Sequence, residues 1–302
     1  MIRLGLNVPN FGPTATPDVL RGWIRFAEDN GFALAMMSDH VAPTPDVTAT
    51  YPPPFYDPFA TLSWLAGLTD RLELGTSVAI LPHRHPLLTA RTATNIDQFT
   101  GGRFILGVGT GWSEGEFNAL GLPFHKRGAI TDEYLVAITE AWGNDLVSLD
   151  GEYVSYRNVS TGPRSARSPR PPLWVGGSSA VAIRRAARFG DAWHPINRER
   201  DWLRSTGLPA LHAAASALGR PAPAFCPRIR ARLTAHDLPA DDRRIGIGSS
   251  AQIQADLDAL EQLGAQYVVL DTNPDDPADR RPPSEDWHTL STIARRAQAG
   301  SS

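Results

Sequence analysis

Two short stretches of this chain hold side chains able to move a proton or to grip an anion. Asp39-His40 sets a carboxylate beside an imidazole, which can exchange a proton near neutral pH or hydrogen-bond a ring carbonyl. Gly176-Gly177-Ser178-Ser179 offers backbone N–H groups and two hydroxyls just ahead of a helical pattern that begins at Ala180. With the positive end of a helix behind them, such donors suit a phosphate. The plain alternatives are a structural histidine and an ordinary helix start capped by serine. A third stretch, 101–112, runs from a Gly-Gly turn through an apolar strand into Gly107, Gly109 and Gly111, where glycine permits close approach of a ligand or positive φ. It is not the dinucleotide fingerprint, because Trp112-Ser113 follows where a third spaced glycine would be needed. A buried strand with a glycine-rich turn and no ligand is its plain reading.

The elements that must position these groups alternate. Apolar runs at 2–8, 32–37, 71–81, 103–108, 173–175, 191–196, 224–234 and 267–270 read as strands, and segments of helical spacing lie between them. Eight such alternations without a break in composition predict an α/β fold, one (β/α)8 TIM barrel over 1–302. Loop insertions are expected near 41–58, 147–170 and 236–246, the last running through Asp241 and Asp242. Functional groups then belong at the carboxyl ends of the strands: Asn7, Asp39-His40, Ser77-Val78, Gly109-Thr110-Gly111-Trp112, Gly176 to Ser179, and Trp193-His194. This set has neither the clustered ligands of a catalytic metal nor a Ser-His-Asp arrangement. It suits a large, flat, phosphorylated organic cofactor, with Trp112 and Trp193 walling an apolar pocket.

The segment 41–58 is Pro-rich and aromatic and long enough to cover a site. A hairpin is expected over 149–159, turning at Asp150-Gly151. Residues 157–170 hold four arginines and no acid, which reads as a solvated surface loop or, more sharply, as a contact for a polyanionic ligand tail. His83, His85, His125 and His194 are poorer candidates than His40, and His83 and His85, in a Pro-flanked loop, read as solvated or structural.

Composition narrows the class further. A formal charge of −3 argues against a nucleic-acid partner, and the single cysteine, Cys226, excludes an intramolecular disulfide or a cysteine-clustered metal site. Arg3 and Asn7 interrupt the first apolar run, and no stretch approaches 18 apolar residues, so no leader or membrane span is expected and a cytoplasmic protein acting on a small molecule is.

Taken jointly, several of these motifs resemble the luciferase-like monooxygenase superfamily, in its coenzyme F420-dependent oxidoreductase branch. The resemblance rests on Ser38-Asp39-His40, Leu74 to Val78, Leu81-Pro82 with Pro86, Thr100 to Arg103, Leu106 to Trp112, Gly121 with Arg127, Trp174 to Ser178, and Gly190 to Trp193. It implies a (β/α)8 barrel, often homodimeric, with the deazaflavin at the strand carboxyl ends. It further implies a non-proline cis peptide at Ser77-Val78 behind the ring, phosphate held by Gly176, Gly177 and Ser178, and Asp39 and His40 against the ring, with His40 passing a proton. Cofactor contacts are expected from Asn7, Asp39, His40, Ser77, Val78, Gly109, Thr110, Trp112, Gly176, Gly177, Ser178, Ser179 and Trp193, and no metal. Departures bear on the substrate. Sugar-phosphate dehydrogenases of this superfamily have a glutamate at the place of Trp112 and a tryptophan near that of Thr44, so sugar-phosphate oxidation is disfavoured; Ala192 stands where glycine is usual. The leading expectation is hydride transfer between the deazaflavin and a small organic substrate. The alternatives are an FMN-dependent monooxygenase served by a separate reductase, and a non-catalytic cofactor-binding barrel.

Overall fold

The computed structural model describes residues 2–239 and 243–299, so the excursion through Asp241 and Asp242 lies outside the described residues. Eight parallel strands form the barrel wall: β1 (Arg3–Val8), β2 (Leu34–Met37), β3 (Glu73–Thr76), β4 (Phe104–Gly109), β5 (Leu173–Gly176), β6 (Ala192–His194), β7 in two pieces (Ala224–Phe225 and Arg228–Arg230), and β8 (Tyr267–Asp271). Each pairs with its sequence neighbour, except that β1 also pairs with β8. The ring closes through β7. Its first piece pairs with β6 and its second with β8, with bridges Ile196–Arg228 and Phe225–Ala265 completing the two seams. The break falls at Pro227, which has no N–H to give to the ladder, although its carbonyl still accepts from Val269 N at 2.9 Å.

Both faces of such strands must be apolar, because one looks into the barrel and the other meets the helices. The alternation is visible residue by residue. Leu34, Met36, Ile105, Trp174, Tyr267 and Val269 pack together inside the barrel, while Ala35, Met37, Phe104, Leu106, Val175, Val268 and Leu270 face the helices. Glycine at 107 is dictated by the wall itself: a Cβ there would lie 1.9 Å from the Thr76 carbonyl oxygen. The outer helices follow from their caps and stripes. In helix Pro17–Asp29, Thr16 caps the first turn, Pro17 opens it, and Leu20, Trp23, Ile24 and Ala27 form the buried stripe.

The strand boundaries correct several expectations. β2 begins at Leu34, and β3 stops at Thr76, to resume as Ala79–Ile80 beyond a cis peptide at Ser77-Val78. The hairpin pairs Leu146–Asp150 with Ser155–Ser160, so its connection is the four residues 151–154 and not a two-residue turn at Asp150-Gly151. The Glu133 carboxylate holds that connection by accepting from the backbone N–H groups of Glu152, Tyr153 and Val154 at 2.7–2.8 Å. The arginines that follow are fastened to the amino-terminal face of the barrel. Arg164 donates to the Trp142 carbonyl and Asp145, Arg167 to the Gly102 carbonyl and Glu73, and Arg170 to Asp191. The loop is therefore ordered by these partners and lies at the opposite end from the strand carboxyl termini, which removes it as a contact for a ligand tail. The segment 41–58 does lie over the carboxyl ends: Phe55 bridges to Phe11, just beyond β1, and Phe11 stacks on Phe55 at 5.3 Å and meets Tyr51 edge-on at 4.9 Å.

Candidate functional site

The carboxyl ends of the strands surround one cleft of about 390 Å³. At one end stands the turn after β5. Gly177 has φ +94°, and a Cβ there would come within 2.9 Å of the Ala182 side chain, so glycine alone fits the turn. Its carbonyl is fixed by Trp193 Nε1 at 2.8 Å. Ser179 caps helix Ala180–Phe189 by accepting from Ala182 N, and Ser178 Oγ accepts from Arg198 Nε at 2.7 Å. Arg185, on the same helix, lines the cleft while bonded to Asp132 at 2.6 Å. Free N–H groups, hydroxyl hydrogens and a cation thus converge on a helix start, which is the donor set a phosphate needs.

In the middle of the cleft the wall is flattened by close packing. Val78 sits so near the backbone of its neighbours that a Cβ on Gly109 would be 2.7 Å from its Cγ2 and one on Gly176 would be 3.2 Å from its Cγ1. Behind it a buried polar lattice fixes Ser77. Arg228 donates to the Ser77 carbonyl at 2.7 Å and to Oγ at 3.1 Å, and Ser77 Oγ bonds His194 Nε2 at 2.9 Å. Burial pushes His194 down to about 4, so its ring is neutral, with Nδ1–H donated to the Cys226 carbonyl. Asp271, wholly buried, accepts from Arg228 and Arg230. Burial works to raise its carboxyl, but the two guanidinium groups outweigh it and hold it below the usual carboxylate range.

At the other end is His40. Its Nδ1 lies 2.7 Å from Glu116 Oε2, and the second oxygen of that carboxylate accepts from the backbone N–H groups of Val41 and Ala42 at 2.6 and 2.9 Å. Glu116 is completely buried. Burial works to raise its carboxyl, yet the hydrogen bonds from His40 and the Ala42 amide hold it below the ordinary value. An ionised carboxylate can only accept, so Nδ1 of His40 is the donor, and in the neutral ring it is Nε2 that presents a lone pair to the cleft.

Eleven of the thirteen expected contact residues line the cleft: Asp39, His40, Ser77, Val78, Gly109, Thr110, Trp112 and the four from Gly176 to Ser179. Two do not. Trp193 is fully buried against Trp202 and Phe225 behind the Gly177 turn, so it supports the turn and walls nothing. Asn7 lies below the cleft, 3.4 Å from Asp271. Asp39 reaches the cleft lining but is not the partner of His40. Its carboxylate takes a bidentate bond from Arg84 at 2.6 and 2.8 Å and accepts from Ile80 N at 2.8 Å, which commits it to holding the 80–84 segment. The true partner, Glu116, was missed by sequence reasoning, as were Arg228, Arg230 and Asp271. Ser113 and Glu116 have capping-box spacing, and Ser113 does cap, but the glutamate turns to His40 instead of reaching back. Among the described residues no group of three or more His, Cys, Asp or Glu side chains could hold a metal ion, and no helix is long and apolar enough to cross a membrane.

Residues 3–285 match the family model described as luciferase-like monooxygenase. The phthiodiolone/phenolphthiodiolone dimycocerosates ketoreductase of Mycobacterium tuberculosis is 34% identical over 168 residues, 55% of this chain and 44% of the relative. The FMNH(2)-dependent dimethylsulfone monooxygenase of Pseudomonas putida is 34% identical over 137 residues, 44% of this chain and 37% of that one. Each match thus spans less than half of the curated relative's length. Among solved structures, an F420-dependent secondary alcohol dehydrogenase in complex with an F420-acetone adduct superposes with a TM-score of 0.76 at 15% identity, covering 97% of this chain and 99% of the other, a likeness of fold.

Proposed function

This chain belongs to the luciferase-like monooxygenase family, and on that footing we propose that it is a coenzyme F420-dependent oxidoreductase that interconverts a small alcohol and its carbonyl compound. The observation that supports this best is the continuity of one cleft, from the phosphate-suited turn at Gly177, Ser178 and Ser179, across the flat wall of Val78, Gly109 and Gly176, to the free Nε2 of His40. That order matches a flat ring joined to a phosphorylated tail. We read the chain as a single catalytic barrel with insertions near 41–58, 147–170 and 236–246, working as a homodimer on a small molecule.

When bound, the deazaflavin would supply the site that accepts or gives the hydride. The chain's own part is position and proton. Gly177, Ser178, Ser179 and Arg185 would hold the phosphate, and Val78 would back the ring. His40, locked by Glu116 with its proton on Nδ1, takes the hydroxyl proton of an alcohol on Nε2, or returns it to a carbonyl oxygen in the reverse direction. Glu116 is ionised beside it and balances the imidazolium that results. Asp39 acts at a distance from this chemistry, by anchoring Arg84. The ketoreductase relative supports a reaction of this hydride-plus-proton type.

A second reading, an FMN-dependent monooxygenase with a separate reductase, is supported by the dimethylsulfone monooxygenase relative. Side-by-side fluorescence titration of the purified protein with coenzyme F420 and FMN tests the choice. Micromolar or tighter binding of the deazaflavin with weak FMN binding is expected. The reverse preference moves the assignment to the monooxygenase, and binding of neither removes the cofactor role of the Gly176 to Ser179 turn.

A further inference from the structure

The end of the cleft around His40 is framed by aromatic rings. Tyr51 lies 5.3 Å from the His40 ring, Phe55 5.4 Å and Trp112 5.7 Å, centroid to centroid, the last two edge-on. Trp112 is 49% exposed and lines the cleft beside His40. A half-bare tryptophan at the rim of a concave site leaves apolar surface in water that an apolar guest would cover. The charges close to the cleft lining are already matched. Asp39 is paired with Arg84, Glu116 with His40, and each arginine that lines the cleft has a carboxylate: Arg185 has Asp132, Arg228 has Asp271, and Arg230 has Asp271 and Asp275. An anionic or polyhydroxylated guest at this end would lose its water without gaining an uncommitted charged partner. Nε2 of His40 faces this end of the cleft and can hold one oxygen: it accepts from a hydroxyl when the ring is neutral and donates to a carbonyl when the ring is protonated.

We propose that Trp112 and Tyr51 select an uncharged, predominantly apolar alcohol or ketone, flat or alicyclic, whose one oxygen meets His40 Nε2, as a hydroxyl donating to the neutral ring or a carbonyl accepting from the protonated one, and that Trp112 is the principal specificity determinant. This rests on the oxidoreductase reading above and narrows its substrate class. Trp112 covers the apolar body of the guest, Tyr51 closes from the 41–58 segment, and the imidazole fixes the oxygen. A sugar phosphate is turned away because, among the described residues, each arginine that lines the cleft is already bonded to a carboxylate.

The test is calorimetric titration of the full chain, alone and loaded with coenzyme F420 or FMN, using cyclohexanone, acetophenone and glucose 6-phosphate as probes against wild type, Trp112→Ala and Trp112→Phe. Both ketones should bind the wild type, bind about tenfold more weakly to Trp112→Ala, and be largely restored in Trp112→Phe. Glucose 6-phosphate should neither bind at this end nor compete with the ketones. Ketone binding unchanged by Trp112→Ala, competition by glucose 6-phosphate, or no ketone binding in any sample overturns the proposal. Because the cofactors are titrated separately and no turnover is read, a failure of the oxidoreductase reading appears in the cofactor titrations, whereas a failure of this inference appears in the ketone titrations.

Discussion

Replacing Glu116 with glutamine separates the charge of the buried carboxylate from its shape. The carboxamide oxygen can still accept from the N–H groups of Val41 and Ala42, which now bond one carboxylate oxygen at 2.6 and 2.9 Å. The other arm becomes an NH2 group facing His40 Nδ1, where a carboxylate oxygen stood at 2.7 Å. Two donors would then meet, and the ring escapes the clash by moving its proton to Nε2 and accepting through Nδ1. The fold loses one charge-assisted bond but keeps its backbone bonds, so stability should fall by about 1–2 kcal/mol. Activity should fall further, because the nitrogen facing the cleft is no longer a base: a loss of about 10²–10⁴ in kcat, with substrate binding weakened much less. Long-range ¹H–¹⁵N NMR on the cofactor-free protein reports the tautomer, and alcohol oxidation by the loaded enzyme reports the rate. If the variant keeps its proton on Nδ1, or turns over within threefold of wild type, the reasoning from carboxylate to base is wrong.

Further outcomes follow from the same geometry. Glu116 and Asp271 both sit below the ordinary carboxylate range when folded, so their contribution to stability is complete above the unfolded value of about 4 and is lost as pH falls through the depressed folded values; thermal melts from pH 7 down to pH 2 should show the loss, and Asp271→Asn should cost about 3–5 kcal/mol at pH 7 by leaving Arg228 unbalanced in the interior. Gly107→Ala drives a methyl group against the Thr76 carbonyl and should cost about 3 kcal/mol or more, read as a lowered denaturation midpoint or as insoluble protein. Burial pushes the Cys226 thiol up to about 12, so a thiol reagent at pH 8 should modify it only after denaturant is added. Ser178→Ala should weaken cofactor binding by about tenfold while leaving the melting temperature within 1 or 2 °C, and inorganic phosphate should compete with the cofactor in the wild type.

Much of the fold was legible because the barrel demands a repeating local signal: a short apolar run, a turn, and a helical stripe. The strand ends carrying Asp39-His40, Ser77-Val78, Gly109 to Trp112 and Gly176 to Ser179 were found for that reason, and they do share one cleft. What escaped was decided by long-range geometry. Asp39 and His40 are adjacent in sequence, yet successive side chains diverge, and the carboxylate that meets the imidazole comes from 76 residues further on. Arg228 and Arg230 alternate with Ile229 and read as the polar edge of a strand, but they turn into the barrel because Asp271 waits on β8. Trp193 follows the opposite logic: an aromatic at a strand end looks like a pocket wall, yet its partners Trp202 and Phe225 lie on the helix side of the sheet. The arginines of 157–170 were ambiguous because their acceptors, Glu73, Asp145 and Asp191, lie outside the loop itself.

Those arginine clamps have a consequence for how such a protein can change. The ties from Arg164, Arg167 and Arg170 secure the amino-terminal rim of the barrel, where Glu73 also accepts from Tyr267. The aromatic frame and the 41–58 segment stand at the other rim and share no bond with them. Sequence drift in the upper rim can therefore reshape what the cleft accepts without drawing on the contacts that keep the lower rim shut. The molecule separates the part that must persist from the part that can be revised, which is a physical condition for one barrel to be adapted to successive substrates.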